Sequence, residues 1–154
     1  MIINNKLDQS FGPVGSFAGI LVFAAGLVSI YYFSLYSLIL VLIGAFVGFT
    51  NSSTLIDFDK KQIRFSNNLF GVIKTGQWIT VQPDMKIGIS KSNKVWRSYS
   101  AGNRTHDIEN KDYRLILYDS SGKIIMPVLK VPDLNSAKSE LEKICKQLGL
   151  SPVS

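Results

Sequence analysis

Asp8 is followed by no charged residue until Asp57, so 48 consecutive residues, Gln9 to Ile56, carry no Asp, Glu, Lys, Arg or His. A run of that length cannot be one membrane-spanning helix. At about 1.5 Å per residue it would reach about 72 Å, against a hydrocarbon core of about 30 Å. It divides at Tyr31-Tyr32-Phe33-Ser34-Leu35-Tyr36-Ser37. The expectation is therefore a two-helix transmembrane hairpin over 13–50, with spans at about 13–33 and 35–50. Tyr31, Tyr32 and Tyr36 would lie at the headgroup level, where amphipathic rings are favoured, and Ser34 and Ser37 would bond locally in the turn. A soluble hydrophobic hairpin is the competing reading. It is disfavoured because both apolar runs are long and uncharged.

Charge sets the expected orientation. The first 56 residues hold only Lys6 and Asp8, so the whole net charge of +6 belongs to the rest of the chain. The turn between the helices has no basic residue, whereas Lys6 precedes them and Lys60, Lys61 and Arg64 follow. The positive-inside rule then puts both termini in the cytoplasm, with the chain integral to an inner (plasma) membrane. A cleaved signal peptide over residues 1–28 is a poorer fit. Its single Lys is offset by Asp8, and a second apolar run follows at once.

Small residues recur at helical spacing within the apolar run: Gly15-Ser-Phe-Ala-Gly19 and Gly44-Ala-Phe-Val-Gly48. Each is a GxxxG, which lets helix backbones approach closely, either within the pair or against another protein. Neither span contains an ionisable residue, which argues against a proton path or a transport role.

From Ser53 the apolar period changes to two. Ile56 and Phe58, then Ile63 and Phe65, alternate with polar neighbours around Lys60-Lys61 and predict a strand hairpin. Further strands are expected at 72–81 (around Trp78), 86–90, 93–100, 113–119 and 123–130, with a polar loop over 101–112. Leu134, Ala137, Leu141, Ile144 and Leu148 then form one helical stripe, with Asp133 or Ser136 as N-cap and Gly149 beyond the last turn. The division expected is a tail at 1–12, the hairpin at 13–50, a mainly-β (α+β) domain at 54–149 and a tail at 150–154.

Seven short strands followed by one amphipathic helix is an order that resembles pleckstrin-homology-like (PH-like) domains. With the apolar hairpin ahead of it, the chain resembles small bacterial membrane proteins that carry such a domain. The resemblance rests on element order. It implies a bent sheet barrel plugged by Leu141, Ile144 and Leu148, and a binding or scaffold role without enzymatic activity. The basic hairpin that holds inositol phosphates in lipid-binding relatives does not carry over, because Asp57 and Asp59 stand beside Lys60 and Lys61.

Between Asp84 and Asp107 lie Lys86, Lys91, Lys94, Arg97 and Arg104 with no acidic residue, and Trp96 and Tyr99 are interleaved. This is a candidate lipid or partner surface, since a basic residue near an anionic bilayer contributes about 1 kcal/mol. A solvated basic face is the plainer reading. Nucleic acid is not expected, because no known motif accompanies the basic residues. His106 beside Asp107 has no nucleophile or second ligand in view, and Cys145, the lone cysteine, adjoins the last helix's apolar stripe. No cofactor or metal motif is present in the sequence. The function expected is a non-enzymatic accessory or scaffold subunit of a membrane complex, with a membrane protein or a second copy as partner. The alternative is a membrane-surface sensor of anionic lipid.

Overall fold

The computed structural model describes residues 1–32, 35–99 and 105–153, with the backbone alone described over 93–111. In chain order the elements are β1 (Ile2–Gln9), α1 (Gly12–Tyr32), a 3₁₀ turn (Leu35–Ser37), α2 (Leu38–Phe49), β2 (Asn51–Asp57), β3 (Gln62–Leu69), β4 (Ile73–Lys74) and β5 (Trp78–Thr80). Then follow β6 (Lys86–Tyr99), β7 (Thr105–Tyr118), β8 (Ile124–Val131), α3 (Leu134–Leu148) and β9 (Ser151–Pro152). The chain divides into two compact units. One holds residues 1–6, 54–65 and 77–154, and the other holds residues 7–53 and 66–76.

This architecture corrects the expected fold. Three helices and nine strands in two sheets, among the described residues, replace a hairpin plus a seven-stranded PH-like barrel. The five-stranded sheet runs β1-β2-β3-β4, with β5 also on β3, and the four-stranded sheet runs β8-β7-β6-β9. The strand β1 lies upstream of the apolar helices, in the segment expected as a tail. The helices are thus an insertion between two paired strands. At the other end the chain passes α3 and adds β9 parallel to β6, Lys86 opposite Ser151, where a tail was expected. A fold that ends on its plugging helix has neither feature.

The expected pair of membrane spans is corrected as well. Among the described residues α1 is the one helix long and apolar enough to cross a membrane. Its 21 residues reach about 31 Å at the usual rise. The 12 residues of α2 reach only about 18 Å, short of a hydrocarbon core of about 30 Å. The second run is shortened because Leu35–Ser37 is spent on a tighter 3₁₀ turn and Thr50 already has extended geometry, ψ 125°.

The larger unit has a core of Ile56, Ile63, Val81, Ile87, Leu115, Leu117, Met126, Val128, Ile144, Cys145, Leu148 and Leu150. Inward-facing strand positions supply Ile56, Ile63, Ile87, Leu115, Leu117, Met126 and Val128, and the α3 stripe supplies Ile144 and Leu148, as their spacing requires. Asp133 caps α3 by accepting the Ser136 backbone N–H at 2.8 Å, and Gly149 ends it in the left-handed region at φ 74°. Two side chains tie β1 and β2 to β8. The Asn5 amide donates to the Val128 carbonyl at 3.4 Å, and the Thr54 hydroxyl donates to the Pro127 carbonyl at 2.7 Å.

The segment 101–112 is not a loop throughout. Thr105–Asp112 belongs to β7, and β6 is one strand where two were expected. Register pairs run from Lys86 opposite Tyr118 to Tyr99 opposite Thr105. Among the described residues, Ser92–Tyr99 and Thr105–Asp112 pair only with each other, as a two-stranded ribbon. The expected strand 72–81 is divided instead, because Gly76 at φ 114° separates β4 from β5. That backbone region is open to glycine and closed to most residues.

Candidate membrane-facing and partner-facing surfaces

The smaller unit presents the most unusual surface. Only 17% of the apolar window of α1 is buried. Val14, Phe17, Ile20, Leu21, Leu27 and Val28 are exposed on α1, as are Leu38, Ile39, Leu40, Leu42 and Ile43 on α2. A core helix of a water-soluble protein buries such residues. So many exposed large apolar side chains on one helical pair are unusual for a surface that faces water.

What α1 and α2 bury is mostly glycine. A methyl group at Gly19 would lie 2.8 Å from the Gly48 Cα. One at Gly44 would lie 2.6 Å from the Phe23 Cα, and one at Gly26 would lie 2.8 Å from the Val41 N. These pairs run in reverse order, so the helices are antiparallel. Gly19, Gly44 and Gly48 are thereby used inside the pair. A methyl group at Gly15 would meet only the Phe11 Cβ, at 3.1 Å. Of the two packing arrangements the GxxxG spacing allowed, within the pair or against another protein, Gly19, Gly44 and Gly48 take the first.

Both flanks of the helical pair sit together. The Ser10 N–H donates to the Thr50 carbonyl at 3.2 Å, and the Ser52 hydroxyl donates to the Asp8 carbonyl at 3.3 Å. The chain thus enters and leaves the pair on one side. At the opposite end Tyr31, Tyr32 and Tyr36 are 85%, 71% and 85% exposed, with the first two rings in edge contact at 5.1 Å. Ser34 lies outside the described residues.

Beside the flanks is a satisfied polar network that sequence reading missed. The Asn68 amide donates to Asn51 Oδ1 at 2.8 Å and to Ser53 Oγ at 2.9 Å, and the Ser66 hydroxyl donates to Asn68 Oδ1 at 3.1 Å. Ser53, Ser66 and Asn68 are buried. The signal was present as a cluster of Asn and Ser at the ends of two predicted strands, but their partnership is visible only in three dimensions.

In the larger unit a groove of about 520 Å³ opens beside α3. Ile56, Phe58, Leu129 and Ile144 give it an apolar wall, and Ser136, Glu140, Lys143 and Gln147 line its α3 side. Glu140 and Lys143 neutralise each other at 2.6 Å. Ser136 is occupied by Asp133, whose carboxyl is held below its ordinary range by the Ser136 N–H and hydroxyl. Among the described residues no three His, Cys, Asp or Glu side chains come together as a metal site. Burial pushes the Cys145 thiol up from its ordinary value, away from the reactive thiolate.

The basic candidate surface changes character in the fold. Lys86 and Lys91 lie at the near end of β6, where Lys91 is exposed. Lys94, Trp96 and Arg97 take ribbon positions opposite Asn110, Ile108 and Asp107, and Arg104 lies outside the described residues. Pairing with β7 brings Asp107, Glu109 and Asp112 to the strand beside them. His106 falls opposite Ser98. At the ribbon's base the buried Asp112 accepts from Arg114 Nε at 2.9 Å, with Lys130 Nζ at 3.9 Å.

Comparison with protein-family models, with curated proteins and with solved structures finds no match to this chain.

Proposed function

We propose that this protein is a membrane-anchored, non-enzymatic accessory or scaffold subunit of a membrane protein complex. The observation that carries the reading is the exposure of α1, whose apolar window is only 17% buried and whose length matches a bilayer. The joined flanks at Ser10 and Thr50 support an anchor that inserts from one face. Lys6 before the helices and Lys60, Lys61 and Arg64 after them favour the cytoplasmic face for both termini. The larger unit then serves as a binding module. A non-enzymatic role is supported by the groove's ionisable residues, Glu140 and Lys143, which are an ion pair.

The acidic positions of β7 weigh against the anionic-lipid sensor. Across residues 86–112, Lys86, Lys91, Lys94, Arg97, Arg104 and Lys111 are offset by Asp107, Glu109 and Asp112, which lowers the net from +6 to +3, and a smaller positive charge attracts anionic headgroups less.

Three experiments test the proposal. Alkaline carbonate should leave the protein in the membrane pellet, and its release would overturn the anchor. Purification in gentle detergent followed by mass spectrometry should recover a stoichiometric partner. Recovery of the chain alone would overturn the subunit reading, and binding of liposomes only when they contain anionic lipid would establish the sensor.

A further inference from the structure

The turn between β3 and β4 is built in a way that strand formation does not require. Phe70 sits at φ 55° and Gly71 at φ 73°. The left-handed region is ordinary for glycine but strained for a bulky aromatic residue. The strain is held by clips on both sides. The Phe70 N–H donates to the Thr50 hydroxyl at 3.2 Å, and the Gly71 and Val72 N–H groups donate to the Asn68 and Leu69 carbonyls, each at 3.2 Å. The Thr75 N–H and hydroxyl both donate to the Asn67 carbonyl, at 3.0 and 2.8 Å.

This backbone directs Phe70 onto the helical pair. Its ring meets Phe46 of α2 edge-on at 5.5 Å, and Phe46 meets Phe11 at 5.6 Å. A methyl group on Gly71 would lie 3.3 Å from the Phe49 carbonyl oxygen. The next two residues are left outward, Val72 at 77% and Ile73 at 56% exposed. Apolar side chains at the tip of a tight turn in water are unfavourable. Here they extend an apolar surface that already includes Phe46 and Phe49.

We propose that the Phe70–Ile73 turn is a second membrane-contact element, entering the acyl–headgroup boundary beside the helical pair. The occupant is a lipid bilayer, and the argument for it is continuity. The turn packs on the aromatic end of α2, whose other exposed residues are apolar on every side. This rests on the membrane reading of α1, and the test separates the two.

Single nitroxide labels are placed at Val72→Cys, at Val22→Cys on α1 and at Lys138→Cys on α3, in full-length Cys145→Ala protein reconstituted in phosphatidylcholine vesicles. Relaxation by oxygen is compared with relaxation by an aqueous nickel chelate. The expected result is an oxygen-dominated label at 72 and 22 and a nickel-dominated one at 138. A nickel-dominated label at 72 with an oxygen-dominated one at 22 overturns the inference and leaves the anchor standing. Nickel dominance at both positions overturns both. If the Cys145→Ala background does not fold, Val72→Trp with nitroxide-bearing lipids gives the same reading. Quenching greater than in the parent protein supports insertion, and equal quenching overturns it.

Discussion

Gly19 of α1 and Gly48 of α2 meet with no side chain between them, so a methyl group on Gly19 would stand 2.8 Å from the Gly48 Cα and from the Val47 carbonyl carbon. Both neighbours are backbone and neither can rotate away. Gly19→Ile is expected to part the helices and to cost at least about 1–3 kcal/mol, the usual range for overpacking. Gly15→Ala, which meets only the Phe11 Cβ, should stay within about 1 kcal/mol of the parent and gains helix propensity. Unfolding in detergent micelles by denaturant titration checks both. Equal effects would show that the close approach is not what holds the pair.

Asn68 is 5% exposed and serves Asn51, Ser53 and Ser66 at once. Asn68→Ala should cost about 1–3 kcal/mol, because buried partners lose a hydrogen bond they cannot replace with water. Asn67→Ala removes an exposed side chain next to it and is the control. Chemical denaturation of the two variants should differ by at least about 1 kcal/mol.

Acid should loosen the start of α3. The Asp133 carboxyl lies below its ordinary value because the Ser136 N–H and hydroxyl favour the charged form. A group with a depressed folded pKa contributes stability above its unfolded pKa and loses it as pH falls through the folded value. Asp119, held down by Ser121 and Lys123, acts in the same direction in the β7–β8 turn. Thermal stability should therefore fall below about pH 4, and Asp133→Ala should lower it at pH 7 while flattening that dependence. An unchanged acid profile in the variant would remove Asp133 from the account.

Cys145 should react slowly with thiol reagents in the folded protein. Its side chain is buried and its pKa is raised by that burial, so both access and thiolate fraction are low. Disulfide exchange with an aromatic disulfide at neutral pH should be at least about tenfold slower than for a free cysteine, and should rise when denaturant is added. Fast labelling without denaturant would place the thiol at the surface.

The elements that sequence reading located are those whose signal is local. The uncharged run, its break at the tyrosines, the α3 stripe with Asp133 and Gly149 at its ends, and the hairpin expected over 54–59 and 62–67 all follow from periodicity, capping and charge within a few residues. What was missed depends on partners far along the chain. Ile2–Gln9 is a strand because β2, which begins only at Asn51, offers an edge, and Asp8 and Ser52 close that ladder. Thr105–Asp112 is polar enough to read as a loop but is held extended by register with β6.

The candidate surfaces divide in the same way. The order of residues alone determined that 48 residues avoid charge and that glycines recur at the spacing of close-packed helices. Tertiary structure decided which backbone each glycine faces. It also shortened α2 below spanning length, set acidic positions of β7 beside the basic stretch of β6, and turned Phe70 onto Phe46 with Val72 and Ile73 left outward. The physical reason is one of range. Hydropathy and helix period act between neighbours in sequence, whereas strand register, close backbone approach and the company a charge keeps are set by residues that meet only after folding.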